Sequence, residues 1–121
     1  MDARELCPLG WHVPSNDEWF ILTENLGGEA TAGGQMKSLS ELWNAPNEEA
    51  SNSSGFSSLP AGFRNVGGGY SNLGVSDFLW SNTDFDFYEA WFHYLYYNSD
   101  GYVGVQVFYK RSGNSVRCLR D

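Results

Sequence analysis

The aromatic side chains carry most of the chemical capacity of this chain, and they are concentrated. Residues 84–109 hold eleven of its twenty Phe, Tyr and Trp residues: Phe85, Phe87, Tyr88, Trp91, Phe92, Tyr94, Tyr96, Tyr97, Tyr102, Phe108 and Tyr109. A small domain cannot bury so many rings on one hairpin, so one face is expected to look outward, and contiguous exposed rings mark an interaction surface. Phe and Tyr would act there as anchors, with Asn, Ser and Asp at the rim. The acids Asp84, Asp86, Glu89 and Asp100 are interleaved with these rings. An Asp-x-Asp pair can feed oxygens to calcium, but a full site takes about six to eight of them, and no EF-hand loop is present. Solvated or ligand-facing acids are therefore expected, and no metal or other cofactor is assigned, calcium being the one ion these acids would suit.

Catalysis finds little footing. His12 sits between prolines and is expected to make a structural hydrogen bond, while His93 lies among rings. No Ser-His-Asp or Cys-His arrangement is suggested. Asp84 and Asp86 would suit a glycosidase only across a cleft, which an exposed strand does not promise. The triplet Gly67-Gly68-Gly69 lacks the strand and helix that frame a phosphate cradle. The chain is expected not to be an enzyme.

Composition narrows the partners. The 121 residues carry a formal charge of −8 with a pI near 4.5, and charged residues make up only 18%. Such acidity excludes nucleic acid and anionic membrane as natural partners. Four of the seven basic residues fall in the last twelve: Lys110, Arg111, Arg117 and Arg120. No apolar run reaches the roughly 20 residues of a membrane helix, so no membrane insertion by this segment is expected. Met1-Asp-Ala-Arg-Glu5 has no signal-peptide core and reads as the entry to a domain cut from something longer. Cys7 and Cys118 lie near opposite ends. They are either two unrelated thiols or a disulfide closing a very long loop, worth about 4 kcal/mol and implying an oxidising compartment.

Positioning these residues falls to an α+β domain spanning residues 1–121. Ser15-Asn-Asp-Glu18 is a capping box, followed by Trp19, Leu22 and Leu26 at helical spacing and by Gly27-Gly28 as a stop. A second helix is expected over 34–43, with Met36, Leu39, Leu42 and Trp43 as its apolar stripe. Residues 44–72 lose periodicity and read as ordered coil pinned by Phe56, Leu59, Phe63 and Tyr70. Trp91 to Tyr97 and Tyr102 to Tyr109 form a hairpin about the turn Asn98-Ser-Asp-Gly101. Trp91, His93, Leu95 and Tyr97 share one face, with Phe92, Tyr94 and Tyr96 on the other. Lys110 to Asn114 turns into a closing strand at Ser115–Leu119. The core is expected around Trp11, Trp19, Trp43 and Trp80.

Four separated motifs coincide: Cys7-Pro-Leu-Gly-Trp-His-Val-Pro-Ser15, Asn52-Ser-Ser-Gly-Phe-Ser-Ser-Leu-Pro-Ala-Gly-Phe-Arg64, Leu79-Trp-Ser-Asn-Thr83 and Ser115-Val-Arg-Cys-Leu-Arg-Asp121. In order and spacing they resemble the Fibrobacter succinogenes major paralogous domain, which occurs largely in bacterial surface and lipoprotein contexts. That family is similar to formylglycine-generating-enzyme-like proteins and their variant of the C-type lectin fold. The resemblance implies two short helices, a small antiparallel sheet, much ordered coil and a Cys7–Cys118 bond. It departs in three respects. The catalytic cysteines of the formylglycine-generating enzymes have no counterpart, the Glu-Pro-Asn and Trp-Asn-Asp signatures of calcium lectins are unmatched, and Asn82 stands where a serine is more usual.

Related C-type-lectin-fold proteins are targets of diversity-generating retroelements, which mutate template adenines, chiefly in Asn codons. The resemblance thus implies a variable region over 82–114. Its candidate contact residues are Asp84, Phe85, Asp86, Phe87, Tyr88, Phe92, His93, Tyr94, Tyr96, Tyr97, Asn98, Tyr102 and Asn114. Glu89, Trp91, Gln106 and Lys110 would be fixed framework. The expected function is non-catalytic recognition of a protein or glycan on another cell or particle, by a domain displayed outside the cell, on its surface or on a virion. The alternative is an assembly module of a surface lipoprotein or phage-like fibre.

Overall fold

The computed structural model describes residues 6–98 and 101–121. It is a small mixed α/β protein with the element order β1 (Trp11–His12), α1 (Asn16–Asn25), α2 (Glu29–Met36), β2 (Phe63–Arg64), β3 (Tyr70–Ser71), β4 (Ser76–Asp84), β5 (Glu89–Tyr96), β6 (Gly104–Tyr109) and β7 (Leu119–Arg120). Three antiparallel sheets result: β1 with β7, β2 with β3, and β4-β5-β6 in that order.

Helix α1 starts where local chemistry says it must. The Ser15 hydroxyl accepts from the Glu18 amide, and the Glu18 carboxylate accepts from the Ser15 amide; two otherwise orphaned donors are thereby satisfied. Gly27 and Gly28, at φ 97° and 100°, end it. The second helix lies earlier than its apolar stripe predicts, over 29–36 rather than 34–43. Leu39 and Leu42 are exposed, leaving only Met36 and Trp43 of that stripe in the core. The cause is long-range. Gly33 and Gly34 sit inside α2 because two loops press against its backbone there. A Cβ on Gly33 would lie 2.6 Å from the Gly101 carbonyl oxygen, and one on Gly34 would lie 2.3 Å from that of Glu49. Glycine is tolerated mid-helix where another backbone must approach this closely.

Residues 44–62 are ordered coil, their backbone bonds running to α2 and the sheet, whereas the rest of the stretch expected to be coil carries the short β2–β3 pair. Of the four residues expected to pin it, Phe56 and Phe63 pack inward, while Leu59 and Tyr70 are exposed on segments with little sheet above them. Ser51 donates to Gly34, Ser54 to Gln35, Ser58 to Met36 and Glu48 to Tyr97. Lys37 is wholly buried, and its ammonium donates to the carbonyls of Glu48 and Tyr96. It thereby ties this coil to the end of β5.

The three-stranded sheet has two apolar faces. Leu79 and Leu95 pack with Trp19, Ala32, Met36, Trp43 and Val103 in the main core beneath the helices. On the opposite face Phe78, Phe92, Phe108, Tyr94 and Tyr96 form an aromatic layer capped by Phe63 of β2, which stacks on Phe78 at 4.8 Å. Of the four tryptophans expected in the core, Trp19 and Trp43 are there and Trp80 is half-buried. Trp11 is 45% exposed, because a two-residue strand pairing only with β7 leaves one of its faces uncovered.

The chain ends are joined. Cys7 and Cys118 form a disulfide across a separation of 111 residues. β1 pairs with β7, and the Asp121 amide donates to Gly10. His12 closes the arrangement, with Nδ1 2.7 Å from Asp121 Oδ1 and Nε2 2.8 Å from Glu18 Oε2. Hydrogen bonding to Glu18, and then to Asp121, raises the His12 pKa, and the same contact lowers that of Glu18. The structural role expected of His12 is what its contacts describe.

Candidate functional site

The expected contact residues divide into four groups, with Asn114 apart from them. Phe92 and His93 are 5% and 1% exposed and do not belong to a surface. They point to opposite faces of β5, and each face is covered, by Phe63 and its neighbours on one side and the helices on the other. Sequence alone shows an alternating hairpin but not that both faces acquire a lid. Tyr94 and Tyr96 are half-buried in the aromatic layer. The Tyr94 ring lies over Gly104, where a Cβ would come within 1.9 Å of it. Burial raises the pKa of both tyrosines. Tyr97, half-buried against the main core, exposed Asn98 and Tyr102 lie at the far end of the hairpin. β5 spans eight residues, so this end is about 25 Å from the β4–β5 tip. Residues 99–100 of the expected turn, including Asp100, lie outside the described residues. Asn114 is half-buried on the segment leading to Ser115.

The remaining five converge at the β4–β5 tip. Asp86 shapes the turn, its carboxylate accepting from the amides of Tyr88 and Glu89 at 2.8 Å. Phe85 lies edge-on to Trp91 at 5.6 Å. Phe87 and Tyr88 are 82% and 68% exposed and meet edge to face at 5.1 Å. Asp84 pairs with Lys110 at 3.0 Å, and the Lys110 amide donates to the Tyr88 carbonyl. Together with Tyr109, Arg111 and Val66, the residues Phe87, Tyr88 and Lys110 line an open cleft of about 500 Å³. Its walls are rings and one aliphatic side chain, and its rim carries two cations.

Val66 and Arg111 escape a reading that follows one hairpin, while Tyr109, one of the hairpin's own rings, joins the cleft although it is absent from the expected contact residues. Val66 arrives on the loop between β2 and β3, held by the Asn65 carboxamide, which accepts from Gly69. Arg111 follows β6. The Arg64–Gly113 bridge and the contact of the Phe63 ring with Phe108 bring these segments together, and the glycine triplet is a local sign of a tight loop there.

Two buried titratable groups lie elsewhere. Desolvation lowers the His93 pKa to about 4; its ring stacks on Trp19 at 5.2 Å, Nε2 is 3.1 Å from Asn16 Oδ1, and Nδ1 is buried without a partner among the described residues. Desolvation raises the Asp77 pKa to about 6, against the opposing pull of Ser58, Arg117 and Ser115.

The model of the Fibrobacter succinogenes major domain matches residues 1–120. The chain belongs to that family. Nothing among curated proteins or solved structures matches it. The four motifs that carry the resemblance prove to be stitched to one another in this Fibrobacter succinogenes major domain. Trp80 donates to Ser115, Asn82 to Pro14 and Asp121 to Gly10. Arg117 donates to the Phe56 carbonyl and stacks on its ring at 4.4 Å. The motifs therefore tie the scaffold together. None of the six residues lining the tip cleft belongs to them.

Proposed function

We propose that this Fibrobacter succinogenes major domain is a non-catalytic ligand-recognition module, needing no cofactor and displayed in an oxidising, extracellular setting, and that the β4–β5 tip cleft is its combining site. The observation that carries this reading is the cleft itself: contiguous exposed rings on a disulfide-tied scaffold, built from residues outside the stitched motifs. Rigid exposed aromatics pay little conformational entropy on binding and supply large contact area. Paired termini, two short helices and long ordered coil agree with a C-type-lectin-like fold. The retroelement proposal also gains a mechanical sense. Lys110, a framework residue under that scheme, pins Asp84 and the Tyr88 carbonyl, so Phe87 and Tyr88 could vary without loss of the turn.

The test pairs glycan arrays and displayed peptide libraries with a Phe87→Ala/Tyr88→Ala variant. Both side chains are exposed, so stability should change by no more than about 0.5 kcal/mol each. Binding lost in the variant with the fold intact is expected; ligands that bind both proteins equally would remove the cleft from consideration. Sequencing the locus across its population tests the diversification: substitutions should crowd into 84–114 and spare Glu89, Trp91, Gln106 and Lys110. A second reading, assembly with sister domains, draws on β6 being the outer strand of its sheet, since an outer strand can template pairing with another chain. Sedimentation of a concentration-independent monomer would count against it.

A further inference from the structure

The tip cleft departs from the rest of the molecule in charge. The chain is strongly acidic at −8, yet the cleft mouth carries Lys110 and Arg111. The guanidinium of Arg64 lies beside Gly68, on the loop that also presents Val66. Lys110 is already engaged by Asp84 at 3.0 Å. Among the described residues Arg111 has no ion-pair partner, and it is exposed. An unpaired planar guanidinium presents a fork of donors that fits a carboxylate in two parallel hydrogen bonds.

The floor narrows the class further. Phe87, Tyr88 and Tyr109 stand around a space of about 500 Å³, which suits a small ligand and is far below a standard protein interface. Phe87 and Tyr88 are set at 86° to one another, so they cannot both offer a face to one flat aromatic guest in the same plane. A saturated six-membered sugar ring is a better match. Its axial C–H bonds form an apolar patch that packs on the negative face of an aromatic ring, while its equatorial hydroxyls reach the tyrosine oxygens and the solvent.

We propose that the cleft binds a sugar ring bearing a carboxylate, with the C–H face on Phe87 or Tyr88 and the carboxylate on Arg111. This rests on the ligand-recognition function proposed above and names its substrate class. Lys110 is neutralised by Asp84, so Arg111 supplies both the positive field at the mouth and the close contact.

The experiment measures binding of tri-galacturonate and of its methyl ester, which keeps the ring and removes the charge. Titration calorimetry and amide chemical shifts are recorded for the wild type, Arg111→Ala, Arg111→Lys and Phe87→Ala/Tyr88→Ala. A glycan array and a peptide library are run on the same four proteins. Acidic sugars should bind at the cleft, and Arg111→Ala should weaken them about tenfold to a hundredfold. Esterification should weaken binding to a similar degree, and Arg111→Lys should recover part of the loss. Neutral glycans binding as tightly as acidic ones, or indifference to Arg111→Ala, would overturn the acidic-sugar assignment. Peptides that bind the cleft in place of sugars would overturn it too, while leaving ligand recognition standing. No binding sensitive to Phe87→Ala/Tyr88→Ala in either library would overturn both.

Discussion

His93 and Asp77 lie on the helix-facing side of the sheet and should pull stability in opposite directions as pH changes. His93 has a folded pKa depressed from 6.5 to about 4. Its contribution is intact above 6.5 and is lost as pH falls toward 4, because the unfolded chain takes the proton first. The full swing is about 3 kcal/mol at 1.36 kcal/mol per pKa unit. Geometry gives the reason: with Nε2 directed at Asn16 Oδ1, the added proton would sit on Nδ1, which is buried with no acceptor among the described residues. Asp77 has a folded pKa raised from 3.8 to about 6. Its contribution is largest below 3.8 and is lost as pH rises through 6, again by about 3 kcal/mol. Between pH 4 and 6 the two nearly cancel. Single variants should separate them in urea melts followed by tryptophan fluorescence at half-unit pH steps. The stability difference between wild type and His93→Gln should fall by about 3 kcal/mol from pH 6.5 to 4, and that for Asp77→Asn should rise over nearly the same interval. Other titrating groups drop out of these differences, since the two sites use separate partners. A His93→Gln difference flat to within about 0.5 kcal/mol would show that the imidazole charges as readily folded as unfolded, and would refute its burial.

Two further outcomes follow from packing and connectivity. Tyr94→Ala uncovers Gly104 and strips ring contacts from Phe78, Phe92 and Tyr96. It should cost about 2 kcal/mol, less than the roughly 3–5 kcal/mol of truncating a fully buried ring because Tyr94 is only half-buried, seen as a reduced denaturant midpoint; an unchanged midpoint would free Tyr94 for a contact role. Cys7→Ser/Cys118→Ser removes closure of a 111-residue separation. Chain entropy puts the loss at about 4–5 kcal/mol, or roughly 15–20 °C in Tm at this chain length. A fall below about 5 °C would mean that the β1–β7 pairing already holds the ends together in the unfolded ensemble.

Features fixed by neighbours in sequence were legible. The capping box, the Gly27-Gly28 stop and the alternation from Trp91 to Leu95 each depend on a few adjacent side chains, and each stands in the structure. The second helix was misplaced because Gly33 and Gly34 look like breakers until the carbonyls of Gly101 and Glu49 are seen pressing on them. The site was half legible for the same reason. Asp84 to Tyr88 announce an exposed tip through their composition, but Val66 and Arg111 reach it through long-range contacts, the Arg64–Gly113 bridge and the Phe63–Phe108 ring contact. Phe92 and His93 were misassigned because alternation reveals two faces and says nothing of what covers each.

The joined ends give the domain a property that matters if it is anchored at one end and pulled at the other. Tension entering near Cys7 leaves near Cys118 through the sulfur–sulfur bond. The intervening chain, with the sheet and the tip cleft, is a closed ring hung from that bond and carries almost none of the load. Chain outside the ring would take the load instead. A cleft held in this way keeps its shape under drag, and its grip on a ligand is decoupled from the force on its tether.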